Sequence, residues 1–381
     1  MRIPGSDSRA PAARLGRFLG VPIYVSASWL IFALLVIIVY TRIILRIGPP
    51  LVQAVAFAMG MALMWGISVL LHELGHVVAG RIMRSRVYRV EIGFLGGATV
   101  TSTSDERPGE EFWVSIAGPA VSLVLAAPGL ISASVGSTLS FGAVGAWGLL
   151  IGTFTLSNLV VAIFNMLPGL PLDGGRVLVA LLWRLRGNQF VATRMAATVG
   201  QTLAVLLLGS TIFRAATVTT SARQLPLLGA IAVVAIMLWN MAFQSRRAAA
   251  REQRLSTRPI EPYIVAAETV PSSTPAVLGA QFMQANQLIV VDEKLLPLGI
   301  VCESDLLGNS QATVEQLMRP VTEDLLLPEK ASVYDVLARY DHTGQNRFIV
   351  IGRDRAVVGM ISVQAIAKEL TAPKRRAALA R

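Results

Sequence analysis

Between Phe112 and Leu172 the chain carries no Asp, Glu, Lys, Arg or His at all. A helix that crosses a bilayer needs about 20 such residues, so this run alone is long enough to cross twice. From Ile47 to Gly80 there is again no Lys or Arg, and the only acid is Glu73. Charged residues make up 15% of the chain and hydrophobic ones 54%, against about a quarter charged in an ordinary soluble domain. Apolar segments fall at Ser28–Leu45, Leu51–Ala79, Phe112–Ser134, Gly142–Asn165, Met195–Phe213 and Leu225–Phe243, while Val177–Trp183 is too short to span. The pattern predicts a polytopic α-helical membrane domain of about six transmembrane helices, followed by a soluble α+β domain.

The formal net charge is +11. In a soluble protein that excess would suggest nucleic acid. Here the arginines flank the apolar segments, as the positive-inside rule requires, and no basic–aromatic interleaving is present, so nucleic acid is excluded as a partner and the lipid bilayer is expected. With six spans both termini share one side. Arg14/Arg17, Arg81/Arg84/Arg86/Arg89, Arg184/Arg186 and Arg246/Arg247/Arg251/Arg254 all fall on that side, which is expected to be cytosolic. Arg42 and Arg46 fall on the other side and are outweighed. No small-residue cleavage site follows Trp29–Tyr40, so the first helix reads as retained in the cell membrane. The single cysteine, Cys302, excludes a disulfide framework and a cysteine-based metal site.

Between spans two and three, Tyr88, Val90, Ile92 and Phe94 alternate with Arg89, Glu91 and Gly93, a period of two that predicts a small sheet over Val87–Thr103 with a turn at Gly96-Gly97. The expected division is a membrane domain over 1–243, a charged linker over 244–262, a tandem-repeat domain over 263–371 and a basic tail over 372–381. The repeat is visible as Leu288–Asp292 leading to Gly299-Ile300-Val301, and Phe348–Gly352 leading to Gly359-Met360-Ile361, offset by 60 residues. Two such units in tandem ordinarily pack on each other.

His72-Glu73-Leu74-Gly75-His76 lies in the second apolar segment. Positions four apart share a helix face, so the two imidazoles can bind one metal ion together. Two His plus a carboxylate, with one position left for water, suit Zn²⁺, and Glu73 lies where it can take a proton from that water. An unpaired carboxylate at bilayer depth costs about 2.5–3.5 kcal/mol or more, so ionisable groups there default to function. The third ligand has few candidates: Asp173 is the sole carboxylate between Glu111 and Glu252. It ends Asn165-Met166-Leu167-Pro168-Gly169-Leu170-Pro171-Leu172-Asp173-Gly174-Gly175. Broken backbone of this kind is tolerated at membrane depth where it is buried in protein or lines a watery cavity. On its own Asp173 could equally cap the next helix; with His72 and His76 present the ligand reading prevails.

His-Glu-x-x-His followed by Asn-x-x-Pro-x-x-Pro-x-Asp-Gly resembles the site-2 protease family of intramembrane zinc metalloproteases (M50-type). Ala117-Gly118-Pro119 resembles the family's Ala-Gly-Pro element, with Ser122 where Asn is common. Gly20-Val21-Pro22 resembles its Gly-apolar-Pro entry, with Ser26 where His is often found. The C-terminal repeat resembles a pair of cystathionine β-synthase (CBS) motifs, carried by one branch of the family. The resemblance implies a regulated intramembrane endopeptidase that cleaves transmembrane protein substrates. It implies one zinc per chain on His72, His76 and Asp173, Glu73 as general base, and Asn165 holding the substrate backbone or the developing oxyanion. A substrate helix must unwind to be cut, and the sheet over Val87–Thr103 offers an edge for the extended peptide.

The CBS pair is expected to associate two or more copies of the chain as a homodimer or higher oligomer. Its adenine-nucleotide sites look degenerate. The first keeps Asp305 but has Cys302 in place of a hydroxyl; the second keeps Ser362 but has Ala365 in place of the acid. Each lacks one polar contact, which costs roughly tenfold to a hundredfold in affinity. The rival reading is a CBS-regulated transporter or channel. It predicts charges scattered over several spans, whereas here they gather in one His-Glu-His face and one Asp.

Overall fold

The structure is a computed structural model and describes residues 12–46, 48–85, 87–93, 96–101, 107–134, 145–217, 224–283, 287–306 and 312–371. Arg86, Phe94, Thr103, the start of the fourth apolar segment and the basic tail over 372–381 lie outside the described residues. The chain divides into two compact units, Ser8–Arg251 and, with the first residues, Glu252–Arg381.

The first unit opens with strands β1 (Ala12–Phe18) and β2 (Val21–Ser26), an antiparallel hairpin. Leu19 and Gly20 form its two-residue turn, both with positive φ (47° and 80°), the backbone that a tight hairpin requires. Helices α1 (Ala27–Leu45) and α2 (Leu51–Ile82) follow, then strands β3 (Val87–Gly93) and β4 (Gly96–Thr101). The strands form one sheet in the order β1-β2-β3-β4, with β2 and β3 parallel and β3 and β4 antiparallel. Gly93 pairs with Gly96, so Gly96-Gly97 begin β4 and do not make the turn, contrary to expectation. The N-terminal hairpin was not expected either. Its inner residues Val21 and Ile23 join Val77, Val87 and Val90 in one buried cluster, which seats the sheet against α2.

Helices α3 (Pro108–Ser134), α4 (Gly145–Asn165), α5 (Asp173–Arg186), α6 (Gln189–Thr217) and α7 (Leu225–Ser256) complete the unit. Six helices are long and apolar enough to cross a membrane, among the described residues: α1, α2, α3, α4, α6 and α7. α5 is the segment too short to span. Its buried Val179 packs with Leu170 on Ala192, Ala196 and Ala197 of α6. α7 continues to Ser256, so the first part of the expected linker is helical. Its Arg, Ala, Gln and Glu residues are strong helix formers, and no proline interrupts them before Pro259.

In the second unit β5 (Thr269–Pro271), α8 (Ala276–Phe282), β6 (Gln287–Val291), β7 (Pro297–Cys302), α9 (Glu303–Leu306), α10 (Val314–Leu317) and β8 (Arg319–Pro320) make the first repeat. The second repeat comprises β9 (Leu326–Pro328), α11 (Val333–Thr343), β10 (Arg347–Ile351), β11 (Val357–Ser362) and α12 (Val363–Thr371). In each, a parallel strand pair is joined to an antiparallel one: β5-β6-β7 and β9-β10-β11. α11 starts at a capping box, Ser332 with Asp335, and stops at Gly344 in the left-handed conformation, the start and stop signals of a helix. Ile289 and Val291 of one sheet meet Leu326 and Ile349 of the other, so the repeats share a core. The unit is a tandem of two like α+β repeats.

Candidate metal centre

α2 has no polar face that would prefer water, yet it carries His72, Glu73 and His76, all about 5–6% exposed. Their ligating atoms lie within 4.8 Å of one another. The ring nitrogens are assigned by what holds them. His76 Nδ1 lies 2.7 Å from the Val114 carbonyl oxygen. A carbonyl can only accept, so Nδ1 carries the proton and Nε2 presents a lone pair. His72 Nδ1 lies 2.9 Å from Ser122 Oγ, a hydroxyl able to accept its proton and so let Nε2 present a lone pair as well. Both orienting groups come from α3.

Asp173, the first residue of α5, brings its carboxylate to these nitrogens: Oδ2 lies 3.2 Å from His72 Nε2 and Oδ1 3.5 Å from His76 Nε2. Two donors each about 2.0 Å from one zinc at a tetrahedral angle stand about 3.3 Å apart, so these separations are those of ligands sharing an ion. Asp173 makes no capping bond, and the helix it begins has no side-chain cap.

Gly118 provides the space. A Cβ there would stand 2.7 Å from His72 Nε2 and closer still to His76 Nε2. The middle residue of Ala117-Gly118-Pro119 thus faces the point where the two lone pairs converge, and any side chain would fill it. Gly97 does the same for Glu73: a Cβ on β4 at that position would overlap the Glu73 side chain. The edge strand of the sheet therefore passes directly over the carboxylate. The donor set of two neutral imidazoles and one carboxylate, with a cradle left open by a glycine, fits a zinc ion.

Asn165 closes α4, half-buried, eight residues before Asp173. Asp305 sits in α9 and accepts hydrogen bonds from the Cys302 amide (3.2 Å) and from Arg319 Nη2 (3.1 Å). Ser362 ends β11. A cavity of about 360 Å³ between the repeats is walled by residues that include Cys302, Arg319 and Arg347. Sequence reasoning missed the orienting roles of Ser122 and Val114 and the reason for Gly118 and Gly97. For Gly118 the Ala-Gly-Pro element was the signal; a main-chain carbonyl such as that of Val114 leaves none.

Fold and site together define a multi-pass membrane protein in which two imidazoles and two carboxylates converge on one small space beside a sheet edge. The model of peptidase family M50 matches residues 60–153 and 129–210. A Synechocystis protein described as a candidate zinc metalloprotease is 28% identical over 93% of this chain and 94% of its own length. A zinc metalloprotease of Methanocaldococcus jannaschii is 29% identical over 51% of this chain and 52% of its own. Among solved structures, the site-2 protease of M. jannaschii matches 62% of this chain and 95% of its own, at 24% identity and a TM-score of 0.44. The CBS domain of a bacterial CNNM/CorC Mg²⁺ transporter in complex with ATP matches 31% of this chain and 90% of its own, at 14% identity and a TM-score of 0.28.

Proposed function

We propose that the chain is an intramembrane zinc endopeptidase that cleaves transmembrane segments of other membrane proteins, with His72, His76 and Asp173 as ligands and Glu73 as general base. The observation that carries this reading is the approach of Asp173 to both Nε2 atoms at 3.2 and 3.5 Å. Zinc held there supplies a water of near-neutral pKa and a Lewis acid for a peptide carbonyl. The Glu73 carboxylate takes the proton from the attacking water and passes it to the amide nitrogen that leaves. Asn165 holds the substrate main chain at the end of α4. The peptide must be extended to be reached, and β4, an edge strand with Gly97 against Glu73, supplies a template beside the base.

Both termini lie in the cytosol on this reading, and the CBS pair joins two copies of the chain and binds adenine nucleotide weakly. Arg319 and Arg347 suit its phosphates, while Asp305 is already engaged by Arg319. The domain limits proposed are 1–243 for the protease and 263–371 for the CBS pair. The test is a comparison of membrane fragments that accumulate with wild type and with Glu73→Gln, together with metal analysis of both. The substitution should leave zinc bound and lower turnover by about 10²–10⁴-fold, the usual contribution of a general base. Turnover above about a hundredth of wild type would remove Glu73 from that role.

A further inference from the structure

The third ligand has a support that its own helix does not provide. α5 begins at Asp173 without a side-chain cap. Three residues on, in the same turn, Arg176 Nε donates to Glu111 Oε1 at 2.7 Å and Nη2 donates to Oε2 at 3.1 Å. This is a two-pronged guanidinium–carboxylate pair, the geometry in which Arg is not replaceable by Lys. The Glu111 side chain is 7% exposed and that of Arg176 26%, so the pair is largely withdrawn from water. Glu111 lies in the first turns of α3, one turn before Ser115, whose hydroxyl bonds back to the Glu111 carbonyl. Val114, which orients His76, belongs to the same turn.

We infer that the Glu111–Arg176 ion pair positions Asp173 on the metal. α3 then sets all three ligands from one element: His76 through the Val114 carbonyl, His72 through Ser122, and Asp173 through Arg176. Residues three apart on a helix are neighbours on one face, so a shift of Arg176 moves the Asp173 backbone with it. The inference rests on the zinc reading above, and neither Glu111 nor Arg176 touches the reacting atoms; they are positioning residues.

The experiment uses the full-length protein in detergent, as wild type, Glu111→Gln, Arg176→Gln and Arg176→Lys. Zinc affinity is measured by chelator competition, thermal stability on the zinc-free form, and cleavage with and without excess zinc. Loss of an orienting partner is expected to weaken zinc by about 10–100-fold in the two Gln variants. Excess zinc should restore part of their kcat while KM stays near wild type. Arg176→Lys keeps the charge but loses the fork, and should fall between them and wild type. Zinc affinity equal to wild type in all three variants, with only the melting temperature lowered, would make the pair a mere brace between α3 and α5 and overturn the inference. If the Gln variants fail to accumulate, Arg176→Lys decides alone: unaltered zinc affinity sinks the idea. A wild-type chain that holds no zinc would instead sink the metal reading, and the inference with it.

Discussion

Gly118 shows at the residue scale why an apparently inert position can be the most exacting one in a metal site. Its missing side chain is the room in which the His72 and His76 nitrogens face each other. Gly118→Ala is therefore expected to abolish zinc binding while leaving the protein folded, because the three atoms nearest the added methyl all belong to the His72 and His76 rings. Metal analysis of the purified variant checks this; a full complement of zinc would show that the ion sits elsewhere. Asp173→Ala should also lose zinc, by a different route: the site keeps its space but has two neutral ligands where zinc prefers three protein donors with a position left for water. Unchanged stoichiometry there would mean that the third ligand is another group. The proposed ligands were legible in the sequence, because the spacing of His72 and His76 is a property of one helix and Asp173 is the lone acid of its region. Ser122 and the Val114 carbonyl were not. Which residue of α3 meets which ring nitrogen depends on how two helices cross, and sequence periodicity within either helix does not contain that.

Among the elements, the connection between α4 and α5 is held by close backbone approach. A Cβ at Gly200 of α6 would overlap the Leu170 carbonyl, and one at Gly175 would overlap the Gly169 and Leu170 backbone. The atoms in the way are main chain, which cannot swing aside as the end of a flexible side chain can. Gly200→Ala should thus push α6 from the loop that delivers Asp173, lowering both the melting temperature and zinc affinity, with a destabilisation of about 1–3 kcal/mol or more as for other overpacking. A melting curve and zinc titration matching wild type would show that the loop yields. The spans and the short amphipathic α5 could be read in advance, since run length and the absence of charge are local properties. The β1–β2 hairpin could not. Its strands carry Arg14, Gly16 and Arg17 in place of a clean alternation, and its stabilising partner β3 lies some sixty residues further on. The edge strand β4 was foreseen as an element, whereas its passage over Glu73 is a tertiary fact recorded in sequence only as a glycine.

For the molecule as a whole the open question is which way the site faces. α2 has 32 residues, about 48 Å at 1.5 Å per residue, against a hydrocarbon core of about 30 Å. His72 and His76 lie ten and six residues before its end at Ile82, so about 9–15 Å from that end, near enough for water to reach from one side only. Arg81 stands in its last turn and Arg84 and Arg89 just past it, and α4 delivers Asn165 and the Asp173 loop from its own C-terminal end, as the alternation of an even number of spans requires. α5 then finishes in Arg184 and Arg186, and α7 in Arg246, Arg247, Arg251 and Arg254. Arg42, Arg46, Arg214 and Arg223 fall opposite and are outnumbered. Because positive charge near the ends of spans sets orientation, the site, the sheet and both chain ends are expected on the cytosolic side. A reporter that is active only in the cytosol should work when fused after Arg381 and fail when inserted after Gly48, in the connection between α1 and α2. The reverse pattern would turn the whole arrangement over, opening the metal site to the outside and placing the CBS pair away from the cytosolic nucleotides it is proposed to sense. Activity at both positions would mean that one of the five helices between them, α2, α3, α4, α6 or α7, does not cross, and α7, which has the smallest buried share of those five, would be the helix to test by deletion.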